Sequence, residues 1–307
     1  MYMPFAGQCP AELRKMNCPA CGWRTKDDSD TFQPLEDITR GSVAYRLFGC
    51  PECGTAFAEP RTSAGSAWYA SIGEHYGWRW EFDQTLQALY EADRARIIEI
   101  GCGEGILLER IRTRHEVWGV DINQSAVVSA REKGLHVFIG TIEEFIAAHP
   151  GLYFDYILFF HLLEHLEDPR SFLCTVQAIL KPGGRIYFSV PNDRRCTLRL
   201  GHESWDFPPH HLTRFSRDGV VQLLTGAGYH VVAMRDEPNR ISSWQWARLF
   251  AELALGKLTV GRAGTWPKLA RVVLKVGLFP IGYLHFAAHR QWRQASPGGS
   301  LYLIAAL

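Results

Sequence analysis

Three groups of residues in this chain have the types and spacing to do chemistry. The first is Glu99-Ile100-Gly101-Cys102-Gly103-Glu104-Gly105, which follows the apolar pair Ile97-Ile98 and precedes Ile106 to Ile111. The glycines therefore sit where a buried strand turns sharply into a helix, and a ligand can approach the backbone there. The spacing is E-x-G-x-G-x-G, whereas a dinucleotide turn would need its third glycine at 106, where this chain has Ile106. An acidic residue beside the turn repels a diphosphate and suits a nucleoside ligand that carries an ammonium and a sulfonium. Val117-Trp118-Gly119-Val120 then ends in Asp121, placed like a carboxylate that accepts hydrogen bonds from a ribose diol.

The second group is a pair of knuckles, Cys18-Pro19-Ala20-Cys21-Gly22 and Cys50-Pro51-Glu52-Cys53-Gly54. Each sets two thiols on one tight turn, so Cys18, Cys21, Cys50 and Cys53 can converge tetrahedrally on a zinc ion. Two disulfides or a redox pair are the alternatives. A closed four-sulfur site has no open coordination position, which makes the expected zinc structural. Of the eight cysteines, Cys9, Cys102, Cys174 and Cys196 share no such spacing.

The third group is histidines. His161-Leu162-Leu163-Glu164-His165 follows one apolar run, and a later loop carries His202, Glu203, His210 and His211. Imidazole, with an ordinary pKa near ~6.5, suits proton removal from a hydroxyl, and His161, His210 and His211 are the candidate bases. Alternatively, these histidines are loop scaffolding that hydrogen-bonds backbone. Asp155, Asp193 and Asp206 look isolated, so a catalytic metal held by carboxylates is not expected.

The elements that must position these groups alternate between strand and helix from Arg96 onward, which implies a mostly parallel sheet covered on both faces. Strands are expected at 96–102, 117–122, 136–140, 154–160 and 185–190, with later ones at 229–235 and 301–305. Asp168 and Pro169 signal a helix start, Lys181-Pro182-Gly183-Gly184 a stop, and Ser216 a cap with Phe215 and Val220 as its staple. Ser42 to Phe48 should form a strand leading into the second knuckle.

With these residues in view, the chain resembles the class I S-adenosylmethionine-dependent methyltransferases. The E-x-G-x-G-x-G turn, Asp121, the Lys-Pro-Gly-Gly stop and the Leu163-Glu164-His165 segment carry the resemblance. It implies an α/β, Rossmann-like sheet of seven strands, mostly parallel with an antiparallel last strand, and methyl transfer from S-adenosylmethionine. It also implies cofactor contacts from Glu99, Gly101, Cys102, Gly103, Gly105, Asp121, Ile122, Thr141, Ile142 and Phe160. Thr141 stands where many members have an acid that reads the adenine amino group. Pro208 to Ser216 is similar to an acceptor-side segment of members from surface-polysaccharide gene clusters.

The expected organisation is a zinc ribbon at 1–62, an aromatic bridge or lid at 63–95 in which Tyr69 and Tyr76 are weak candidates to face the sulfonium, the cofactor-binding core at 96–241, a helical insertion at 242–297, and the last strand at 298–307. The insertion carries eight lysines and arginines against the single acid Glu252. Leu269, Val272, Val273 and Val276 recur at helical spacing opposite Lys268, Arg271 and Lys275. Arg271, Lys275, Pro280 and His285 interrupt its most apolar stretch, which argues against a membrane span. An amphipathic hairpin on an anionic membrane surface, or a cap or dimer contact, are the two expectations.

A net charge of +1 offers no general attraction to nucleic acid, and Asp27-Asp28-Ser29-Asp30 and Glu36-Asp37 place acid where an RNA-binding ribbon would want base. No leader pattern opens the chain, and a cytoplasmic protein, peripheral on a membrane at most, is expected. The acceptor is expected to be a small molecule, a sugar or a lipid-linked group, methylated on oxygen. An RNA base methyltransferase and a non-catalytic binding module are the alternatives, and Ile106 disfavours a nicotinamide-dependent oxidoreductase.

Overall fold

The computed structural model describes residues 16–24, 31–63, 65, 77–259 and 268–307. Its ribbon strands are β1 (Gln33–Arg40), β2 (Val43–Gly49) and β3 (Ala56–Glu59). Helix α1 (Trp80–Tyr90) leads into the alternating region: β4 (Arg96–Ile100), α2 (Ile106–Ile111), β5 (Glu116–Asp121), α3 (Gln124–Glu132), β6 (Val137–Ile139), α4 (Ile142–Ala148), β7 (Phe154–Phe160), α5 (Pro169–Gln177) and β8 (Leu180–Pro191). A two-residue strand β9 (Thr213–Arg214), α6 (Arg217–Gly226) and β10 (His230–Asp236) follow. The helices α7 (Ser243–Thr259), α8 (Lys268–Ala288) and α9 (Arg290–Ala295) precede β11 (Ser300–Ala306).

The large sheet has the order β10-β11-β8-β7-β4-β5-β6. Strands β6, β5, β4, β7 and β8 run parallel, while β11 lies antiparallel between β8 and β10. This is the expected seven-stranded arrangement with its closing antiparallel hairpin. Alternation along β4 sends Ile98 and Ile100 into the apolar cluster on one face and Ile97 into the cluster on the other. Both sheet faces are therefore dry, and each fully buried isoleucine contributes roughly 2–3 kcal/mol.

Local signals act as expected at two helix starts. Asp168 accepts from Ser171 N–H with Pro169 in the first turn, and Ser216 accepts from Gly219 N–H. One strand differs from expectation. β8 begins at Leu180, which pairs with Phe154, and Arg185 then pairs with Tyr156. Lys181 to Gly184 are thus extra residues looped out of a continuous strand, which is what a turn-forming Pro-Gly-Gly sequence does when both flanks are held by a neighbouring strand.

The ribbon sheet has the order β1-β2-β3-β9, so its last strand comes from the loop after β8. Thr55 Oγ1 lies 3.3 Å from Ser216 Oγ, Ser216 Oγ–H donates to Cys53 O, and Arg170 donates to Ala20 O at 2.9 Å. The two knuckles therefore rest on the starts of α5 and α6.

In the insertion, Gly282 lies where a Cβ would come within 2.7 Å of Ala247 Cα, so α7 and α8 cross closely. Trp246 is fully buried, donates to His285 at 3.2 Å, and joins Cys196 and Leu200 of the loop after β8 in one cluster. At the end of the stripe Lys275 and Val276 take opposite faces of α8, while the side chains of Lys268, Leu269, Arg271, Val272 and Val273 lie outside the described residues. Lys275 turns inward to Glu252 at 2.6 Å, while Val276 is 64% and Leu284 71% exposed. Glu252 on α7 takes Lys275 together with Arg248, at 2.6 and 3.1 Å, so the contact sits at the partly exposed seam between α7 and α8. Among the described residues no helix is long and apolar enough to cross a membrane.

Candidate active site

The glycine turn is built as its spacing demands, with Gly101 at φ +74° and Gly105 at φ +71°. Its first two N–H groups do not face outward: Gly101 and Cys102 both donate to Val120 O, at 2.8 and 3.3 Å. Gly103 N–H donates to Asp121 Oδ2 and Asn123 N–H to Oδ1, each at 2.7 Å. Two backbone donors thus fix the Asp121 carboxylate at the strand end, and each oxygen keeps a further lone pair for a ligand hydroxyl. Burial pushes its pKa up while these donors pull it down.

Glu99 lies at the foot of this turn, only 3% exposed, and its Oε2 has no hydrogen-bond partner among the described residues. Burial pushes its carboxyl up to about 8, against the opposing positive charge of Arg79. A buried carboxyl without a partner, beside a cradle free of side chains, fits a ligand that brings its own positive charge or donors. S-adenosylmethionine meets that description.

The remaining predicted cofactor residues divide by orientation. Ile122 is exposed at the end of β5. Phe160 closes the end of β7 with its ring 5.3 Å from Phe82. Cys102 and Ile142 are buried in the core, Cys102 with its sulfur against Gly119, so any ligand contact from either is through backbone. Thr141 caps α4 in a reciprocal box with Glu144, so a lone pair of its hydroxyl is already engaged by a helix N–H. Tyr69 and Tyr76 lie outside the described residues.

His161 follows β7 with φ +50°, a left-handed conformation costing roughly 1–3 kcal/mol for a residue with a side chain. It is held there by two buried carboxylates. Nε2–H donates to Glu81 Oε1 at 2.6 Å and Nδ1–H to Glu164 Oε1 at 3.2 Å. Ser300 and Ser189 hydroxyls also donate to Glu81, at 2.8 and 3.2 Å. Burial disfavours the imidazolium, yet the two carboxylates outweigh it and raise the pKa to about 9. Burial raises each carboxyl, but each still falls to about 2: Glu81 through the hydrogen bond and charge of His161 with help from Ser300, and Glu164 through the His161 hydrogen bond and the nearby His165, His161 and His211 rings. At the position expected of a base, His161 has both ring nitrogens engaged by carboxylates, and this network ties α1 to the ends of β7, β8 and β11. Glu81 was not singled out by spacing. The signal available was an acid inside the apolar run Trp80-Glu81-Phe82, on a helix face that must be buried.

Glu164 also borders a second histidine group. His165, His210 and His211 converge with one ligand nitrogen from each within 4.8 Å of the others. Their ring centroids lie 4.6 to 5.0 Å apart, with His210 and His211 stacked. Burial holds His165 down to about 4 and His210 down to about 3, so both are neutral at pH 7 and weak as bases. His211 Nδ1 stands 3.8 Å from Asp206 Oδ1. Asp206, apparently isolated in the sequence, is buried and paired with Arg195, with His202 at 3.5 Å.

The four knuckle cysteines also converge, with Cys18 and Cys53 sulfurs 3.6 Å apart and Cys21 and Cys50 likewise 3.6 Å apart. The two knuckles repeat one design: Gly22 N–H donates to Cys18 O and Gly54 N–H to Cys50 O. Trp23 N–H points at Cys21 Sγ from 3.4 Å. Four sulfurs at this spacing, with a backbone donor to one of them, fit a tetrahedral thiolate-bound zinc better than two disulfides.

A family profile described as a methyltransferase domain matches residues 76–234. The chain is 34% identical over 163 residues to a ubiquinone biosynthesis O-methyltransferase of Thiobacillus denitrificans, covering 44% of this chain and 68% of that protein. It is 28% identical over 193 residues to the enzyme of the same name from Cereibacter sphaeroides, covering 58% of this chain and 78% of the relative. Among solved structures it is similar to a SAM-dependent methyltransferase from Archaeoglobus fulgidus, with TM-score 0.47 and 19% identity over 73% of this chain and 93% of that one.

Proposed function

Because this chain belongs to the methyltransferase-domain family and is an S-adenosylmethionine-dependent methyltransferase, we propose that it methylates an oxygen of a small or lipid-linked acceptor. The cofactor is proposed to lie over Gly101 to Gly105, its ribose on Asp121 and its methionine end towards Glu99. The single observation that carries this placement is the buried, unpartnered Glu99 oxygen beneath the glycine turn. Bound there, the cofactor supplies an electrophilic methyl; the residues of this chain orient it and exclude water.

The acceptor class is proposed chiefly from the relatives, with the state of the histidines as support. His161 is charged, and His165 and His210 are neutral but held far below the ordinary imidazole range. With His165 and His210 held low and His161 engaged by two carboxylates, a hydroxyl that ionises readily, such as a phenol near ~10, is the proposed acceptor rather than a sugar alcohol. Relatives named as O-methyltransferases of ubiquinone biosynthesis support oxygen as the acceptor atom and a quinone-like ring as its carrier.

Zinc is proposed to occupy the four-cysteine cluster in a structural role, joining the knuckles beneath α5 and α6. Residues 242–297 are proposed to dock on an anionic membrane surface through the outward face of α8. The exposed Val276, Ile281 and Leu284 within a basic segment support this reading.

Calorimetric titration with S-adenosylhomocysteine tests the cofactor placement. Asp121→Ala removes two ribose contacts to a charged acceptor, each worth roughly 1.5–3 kcal/mol, so affinity should fall by roughly 100-fold or more. Equal affinity in the variant would remove Asp121 from the site, and absence of binding to the intact protein would overturn the placement altogether.

A further inference from the structure

We propose that His165, His210 and His211 form a second metal site, separate from the four cysteines, for a divalent transition ion of the zinc, cobalt or nickel class. Three imidazoles are the donor set such ions take, and hard ions such as magnesium and calcium do not prefer it.

Four observations support the site. First, the three ligand nitrogens already lie within 4.8 Å of one another, although His165 comes from the turn after β7 and the other two from the loop after β8. Tetrahedral binding at about 2.0–2.1 Å would bring them to about 3.4 Å apart, a closure that side-chain rotation can supply. Second, His165 Nδ1 is 2.6 Å from the carbonyl oxygen of His210, which can only accept. Nδ1 therefore carries the proton and Nε2 the lone pair, the tautomer that a backbone carbonyl imposes on metal-binding histidines. Third, Nδ1 of His211 is buried with no hydrogen-bond partner among the described residues, and Asp206 Oδ1 stands 3.8 Å from it. Fourth, Oε2 of the fully buried Glu164, next to His165 in the chain, also has no hydrogen-bond partner among the described residues. A cation at the three nitrogens would bring positive charge close to that carboxyl group.

Three protein ligands leave a fourth position, and His165 and His210 are only partly covered, so that position can be reached by an oxygen donor. Binding would also tie the turn after β7 to the loop that supplies β9. The Leu212 N–H already donates to Glu164 O at 2.8 Å along this seam.

Full-length protein equilibrated with Co²⁺ and freed of loose metal tests the site by elemental analysis and visible absorption. Wild type should hold one equivalent with thiolate-to-metal charge-transfer bands, at the cysteines, and a second equivalent without them. His165→Ala, and separately His210→Ala with His211→Ala, should lose the second equivalent and keep the thiolate bands unchanged. No equivalent beyond the thiolate-bound one in wild type, or its retention in both variants, overturns the proposal. If the variants lose the thiolate bands as well, X-ray absorption of zinc-loaded wild type decides: mixed nitrogen and sulfur scattering is expected, and sulfur alone overturns it.

Discussion

Replacing Glu81 by glutamine should detach the charge that holds α1 to the sheet ends while keeping the side chain's shape. In the wild type, His161 is lifted from 6.5 to about 9 by Glu164 and Glu81. At roughly 1.4 kcal/mol per tenfold change in proton affinity, that lift corresponds to about 3 kcal/mol of folding stability, the size expected of a buried ion pair. The sign follows from the direction of each shift. The raised His161 contributes fully below about 6.5 and loses its contribution as pH rises through about 9. The depressed carboxyls contribute above about 4.5 and lose it as pH falls through about 2. The network is therefore worth most between those limits, in the interval from about pH 4.5 to 6.5.

Glu81→Gln removes one of two opposite charges, which should lower the His161 pKa by roughly 1–3 pH units. Urea unfolding at pH 6 should show a loss of roughly 1.5–3 kcal/mol. At pH 10 the difference should shrink towards zero or reverse, because the wild type then buries the Glu81 carboxylate against a neutral ring. The His161 ring-proton resonance, followed by NMR, reads the same change directly. A wild-type resonance titrating near ~6.5, or a stability difference equal at both pH values, would refute the assignment of His161 as a partly buried imidazolium.

Two further outcomes are expected. Gly105→Ala asks a side chain to adopt φ +71° and drives its Cβ into Leu135, so unfolding stability should drop by roughly 2–4 kcal/mol, and a drop below about 1 kcal/mol would mean the turn relaxes freely. Ile281→Asp with Leu284→Asp alters only exposed positions on α8, so sedimentation with anionic phospholipid vesicles should be lost while the unfolding midpoint changes little; undiminished sedimentation would exclude this face as the membrane contact.

Much of the fold was legible because its signals are local. The glycine turn, the Asp168-Pro169 and Ser216 helix starts, and the two cysteine knuckles are each written in a few adjacent residues whose backbone preferences admit one conformation. Period-two and continuous apolar runs placed β4 to β8, and with them the edge at which Asp121 and His161 stand. The KPGG segment was misplaced for the same reason: its local turn signal is real, but a neighbouring strand holds both of its flanks and absorbs it as a bulge.

The chain by itself determined which residues carry charge, thiols and imidazoles, and the turns that present them. Only the tertiary structure decided their protonation and company. Glu81 meets His161 across 80 residues, and His165 meets His210 across 45. Neither pairing has a periodic signature, because it depends on which helix the sheet edge accepts and which loop crosses it. Once buried, each group's charge is set by its neighbours and by the loss of water. That is why a histidine placed like a base is held between two carboxylates, and why three loop histidines become a candidate metal site.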